Sequence, residues 1–112
     1  MTRPSSIWIS AEQWAPSEWD PRCDAVDVVA TMPDGSRWAA TFLTASYMAR
    51  VRDSYRESGE CLDGGYFWIA RPVFVDELSR PAIEAVVDDL VESGELRTAF
   101  RRLPGAVVDR AP

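Results

Sequence analysis

The chain has 112 residues, 46% of them hydrophobic and 11% aromatic, enough for one modest hydrophobic core and too apolar for a disordered polymer. Its net charge of −6 repels duplex DNA, RNA and anionic membranes unless a local basic patch overrides it. All 12 basic residues are arginine and there is no histidine, which removes most Ser/His and Cys/His nucleophile schemes and the usual zinc sets.

Abundant Ala, Val, Asp and Pro beside an all-arginine basic set suit a high-GC bacterial genome. No stretch approaches transmembrane length, and the first ten residues lack the apolar run of a signal peptide. A cytoplasmic protein is expected, with Cys23 and Cys61 reduced.

In chain order, "IWISAEQW" reads as a strand, followed by a loop rich in Pro and Trp up to Cys23. The segment "DAVDVVATMPDGSRWAATF" is a hairpin. Val26, Val28 and Ala30 alternate with Asp27, Val29 and Thr31, the period of a half-buried strand. A two-residue turn would set Asp27 beside Phe42 on the apolar face. A three-residue Pro33-Asp34-Gly35 turn instead pairs Ala30 with Trp38, Val28 with Ala40 and Val26 with Phe42. It also gives Gly35 the left-handed position.

Thr44 can cap a helix over 45–58, with Tyr47, Met48, Val51 and Tyr55 on one face and Gly59 at its end. The spacing then predicts a strand over 66–70, "YFWIA", and another in "VFVDEL", with Pro72 marking a bulge, an edge or a break. Phe67 and Ile69 would face one side of that first strand, Tyr66 and Trp68 the other. A second helix follows. Ile83, Val86, Val87, Leu90 and Val91 recur at helical spacing, Glu84, Asp88, Asp89 and Glu92 face away, and Gly94 closes it. Residues 95–103 fit either a last strand or a short helix, and from Pro104 the chain reads as a flexible tail.

This order predicts an α+β fold: a small antiparallel or mixed sheet of four to five strands, with two helices packed mainly on one face. Residues 1–103 form the single domain and 104–112 the tail.

The densest stretch, "ESGECLDGGYFWIARP", invites a catalytic reading. Cys61 is a poor nucleophile, because Glu60, Asp63 and the end of the preceding helix all oppose a thiolate. "LDGGY" leads into a strand rather than a helix, so it makes no phosphate cradle, and its acids lack the alternation of a calcium loop. The segment is a turn with an aromatic surplus. Asp76–Glu77 and Asp88–Asp89 are adjacent in sequence and diverge, so no acid–base pair is identifiable.

The runs "SGECLDGGYFW" and "VFVDEL", with a helix ending in "ESGEL", resemble a family of small uncharacterised bacterial proteins across residues 38 to 100. That resemblance implies a self-standing domain and transfers no site residue. In size and acidity the chain is also similar, in general character, to toxin-neutralising immunity proteins.

The expectation is therefore a non-catalytic interaction domain without cofactor or metal. Its candidate surfaces are the acidic helix face (Glu84, Asp88, Asp89, Glu92) and the aromatic strand face (Tyr66, Trp68, Phe74). They suit a basic protein partner or a second copy in a homodimer, with no nucleic acid and no membrane. A tryptophan-lined small-ligand pocket is the alternative.

Overall fold

The hairpin sets the centre of the molecule. In a computed structural model that describes residues 3–104, its arms are β2 (Ala25–Thr31) and β3 (Arg37–Leu43). Val28 lies opposite Ala40, Ala30 opposite Trp38 and Val26 opposite Phe42, the register of the three-residue turn. Gly35 takes φ 87° and donates its N–H to the Met32 carbonyl at 2.9 Å. A side-chain relay stiffens the corner: the Trp38 indole N–H donates to Ser36 Oγ at 3.1 Å, and Ser36 donates its hydroxyl and N–H to the Asp34 carboxylate at 2.6 and 2.8 Å. Those two bonds hold Asp34 below its ordinary carboxylate pKa.

β1 (Ser6–Ile9) joins β2 antiparallel, with Trp8 opposite Val29 and Ile9 opposite Val28. The far edge of β3 is divided end to end. β4 (Pro72–Phe74) runs parallel to it beside Thr41–Leu43, while β5 (Arg101–Arg102) runs antiparallel beside Trp38–Ala39. The result is a mixed five-stranded sheet within an α+β fold. A parallel neighbour requires a crossover, and α1 (Ala45–Ser58) lies in that connection.

This shared edge explains one departure from the sequence reading. Residues 66–70 form no strand; the strand begins only at Pro72. β5 occupies the other half of the β3 edge, so no ladder is open to the aromatic run. Arg71, at φ 50°, turns the chain just before β4.

The inner face of the sheet buries Ile9, Val26, Val28, Ala30, Ala40 and Phe42. Against the same core pack α3 (Arg80–Ser93) and the short α4 (Leu96–Ala99). Ser79 caps α3 by accepting the Ala82 N–H, and Gly94, at φ 79°, ends it. Ile83, Val87 and Val91, one turn apart, are its buried line. Val86 and Leu90, expected in the core, are only half-buried at its flank. Residues 95–103 contain both alternatives in sequence, a helical turn and then a strand. Phe100, between them, meets the Phe42 ring edge-on at 5.9 Å. Arg97 and Arg102 sit 5.7 and 5.8 Å from the centroid of Trp38, tying this last segment to the hairpin.

α1 forms as its capping signals require. Thr44 Oγ1 accepts the Tyr47 N–H at 3.3 Å, and Gly59 ends the helix at φ 89°. Yet no residue of α1 is fully buried; Tyr47, Met48, Val51 and Tyr55 are half-covered. Among the described residues no helix is long and apolar enough to cross a membrane. Apart from Pro104, the tail expected over 104–112 lies outside the described residues.

Candidate interaction surface

The surface begins where α1 ends. After Gly59 the segment α2 (Glu60–Gly64) makes a turn of reversed hand: Cys61, Leu62 and Asp63 have φ of 49°, 53° and 55°. L-residues in this region cost about 1–2 kcal/mol each, so the turn must be held from outside. Arg52 does this from α1, donating Nε–H to the Gly64 carbonyl at 3.1 Å. Gly64, at φ 80°, is buried so closely that a Cβ there would stand 2.4 Å from the Arg52 carbonyl oxygen. The turn thus folds back on the helix and throws Leu62 outward, 80% exposed.

Beyond it the alternation expected of a strand survives without the strand. Phe67 turns in and meets Tyr47 edge-on at 6.5 Å, and Ile69 is half-buried. Tyr66 and Trp68 point out, 48% and 74% exposed. Phe74, on β4, is 61% exposed. Desolvation, reinforced by Cys61 and Glu60, pushes the Tyr55 hydroxyl above its ordinary pKa at the root of this segment.

Phe74 leads into a groove of about 470 Å³ whose apolar lining is Phe74, Val75, Ala82, Ala85 and Val86, with Asp76 and Glu77 also lining it. Ala85 also borders the adjoining depression that holds Asp88, Asp89 and Glu92. The structure therefore joins Phe74 to the acidic side of α3 in one strip.

The four α3 acids are not equivalent. Glu84 accepts a bond from Arg80 at 2.8 Å, and Asp88 takes a two-pronged contact from Arg3 at 2.9 and 3.1 Å. Both are partly covered, contrary to the uniformly solvated face expected. Asp89 and Glu92 are exposed and hold no arginine among the described residues.

Sequence reasoning passed over Leu62, which stands between Cys61 and Asp63. It also dismissed Asp76 and Glu77 as a diverging pair, yet they lie outside any strand or helix and both line the same groove. Cys61 and Cys23 are free and half-buried. Among the described residues no group of three Cys, Asp or Glu side chains could hold a metal ion.

Comparison of the chain with protein-family models, with curated proteins and with solved structures gives no significant match.

Proposed function

We propose that this protein is a cytoplasmic, non-catalytic interaction domain that binds a basic protein partner through the strip from Leu62 to Phe74 and onward along α3. One observation carries the reading. Among the described residues, four of the five exposed large hydrophobic side chains, Leu62, Tyr66, Trp68 and Phe74, fall within one short stretch of sequence, residues 62 to 74. Clustered exposed aromatics next to charges mark association surfaces, whereas scattered ones are ordinary. Asp76 and Glu77 beside Phe74, with Asp89 and Glu92 in the adjoining depression that Arg3 also lines, favour a cationic partner. A basic toxin is one partner class that this chemistry fits.

The test places a photo-reactive amino acid at Trp68, and in parallel at exposed Glu18, in the host cell. The reading expects one basic protein cross-linked from position 68 alone, with the adduct lost in a Phe74→Asp, Asp89→Arg variant that stays folded. Equal labelling from both positions, or an adduct indifferent to the double substitution, would sink it. Sedimentation equilibrium of the purified chain reads the self-associating alternative directly.

A further inference from the structure

The sheet has a second face. Trp8, Val29, Ala39 and Arg101 are cross-strand neighbours in one row over β1, β2, β3 and β5, and all four point away from the core. Trp8 is 46% exposed. Between the tall ends of this row, Val29 and Ala39 form a low floor, and the depression that results is about 300 Å³. That is the lower end of small-molecule site volumes. Three strand spacings, about 14 Å, separate the backbone at Trp8 from that at Arg101.

One end is aromatic and the other cationic. Arg71 also lines the depression beside Arg101. One Arg71 N–H donates to the Thr98 carbonyl at 3.1 Å, which steadies the guanidinium and leaves most of its donors free. Arg3, Arg56 and Arg80 each hold a carboxylate, but Arg71 and Arg101 hold none among the described residues. Two arginines that form no ion pair among the described residues thus line one hollow of a molecule whose net charge is −6, with Asp27 as the one carboxylate lining it. On the remaining side, Asp27 accepts the Thr41 hydroxyl at 3.3 Å and keeps acceptor capacity toward the hollow.

We propose that this outer face binds a nucleoside monophosphate. The base lies over the Val29–Ala39 floor against the Trp8 indole, and the phosphate is held by Arg71 and Arg101. Stacking on tryptophan and a forked guanidinium contact are the recognition modes these groups supply. Asp27 accepts from an amino or imino N–H of the base. A polynucleotide would carry further phosphates past Asp27 and across a negatively charged molecule, so a single nucleotide fits better. This proposal uses none of the exposed apolar residues Leu62, Tyr66, Trp68 and Phe74, although Arg71 lies in the same stretch of chain.

The test uses the full chain labelled with nitrogen-15. Its five indole N–H groups can be followed one by one, Trp8 being assigned by Trp8→Phe. The four ribonucleoside monophosphates are titrated separately, with the matching nucleosides, ribose 5-phosphate and a ten-nucleotide single strand as controls. At least one monophosphate should shift the Trp8 signal with a dissociation constant below about 1 mM, and its nucleoside and ribose 5-phosphate should bind at least about tenfold more weakly. Trp8→Ala and Arg101→Ala should each weaken binding by about tenfold or more while the circular dichroism stays that of the wild type. No Trp8 shift with any monophosphate would overturn the proposal. So would ribose 5-phosphate binding as well as the nucleotide, or the single strand binding more tightly. A Trp8 signal that moves with protein concentration alone would assign this face to a second copy instead.

Discussion

Arg80 donates two parallel hydrogen bonds to Glu12, at 2.7 Å each, across 68 positions of sequence. The same guanidinium reaches Glu84 and the Ile7 carbonyl, both at 2.8 Å. One side chain thus fastens the first strand and the turn after it to the start of α3.

Arg80→Ala should destabilise the fold by about 1–2 kcal/mol, since charge-assisted bonds are strong but this cluster is about a third exposed and partly screened. Arg80 holds Glu12 below its usual pKa of 4.5. A lowered carboxylate pKa stabilises the fold above the unfolded value, and that contribution disappears as pH falls through the folded one. Denaturant midpoints of wild type and Arg80→Ala measured from pH 7 down to pH 3 should therefore converge at the acid end. A gap that stays constant with pH would mean that the arginine acts by packing alone.

Two glycines with positive φ allow a controlled comparison. At Gly35 a Cβ would meet nothing within 4 Å, so Gly35→Ala should cost only the conformational term, about 1–2 kcal/mol. Gly64→Ala adds an overlap with the Arg52 carbonyl at 2.4 Å and should cost about 2–4 kcal/mol. Thermal melts of the two variants give the order, and equal losses would show that α2 can move off α1 at no expense.

Along α3, Ile83→Ala should cost about 2–5 kcal/mol because Ile83 is fully buried. Leu90→Ala removes a half-buried side chain and should cost about half as much. Urea titration of both variants checks this, and a larger loss at Leu90 would move the core line to the helix flank.

Reversing Asp89 and Glu92 to arginine should change stability by less than about 0.5 kcal/mol, since both are exposed. Glu84 and Asp88 make poorer probes, because their reversal also breaks the contacts with Arg80 and Arg3. With the basic partner, the Asp89/Glu92 double reversal should chiefly slow association, and the effect should shrink as salt is added. Stopped-flow rates at two ionic strengths measure both. Unchanged association would confine the interface to Leu62, Tyr66, Trp68 and Phe74.

The hairpin was legible in the sequence because two local signals agreed: alternation along the arms, and a proline and glycine at the two ends of the turn. Both long helices were legible for a similar reason, apolar residues at helical spacing closed by a glycine, with Thr44 and Gly59 bounding the first and Gly94 ending the second. The aromatic run was not. Val, Tyr, Phe, Trp and Ile favour strands only where a partner edge exists, and the edge of β3 is filled by residues about thirty positions further on. Nor could spacing show that Arg3 would cover Asp88, a contact over 85 positions. The alternation itself was legible: Tyr66 and Trp68 are exposed while Phe67 and Ile69 are half-buried, although the segment joins no sheet.

The divided edge of β3 also bears on the order in which the protein is made. Synthesis delivers the hairpin first, then the partner for Thr41–Leu43, and the partner for Trp38–Ala39 only with residues 101–102. For the time needed to translate roughly thirty codons, Trp38 and Ala39 therefore present unpaired backbone to the crowded space at the ribosome exit. Exposed edges of this kind recruit strands from neighbouring nascent chains. Arg37, immediately beside that gap, supplies the charge that discourages such pairing until the protein's own last strand arrives.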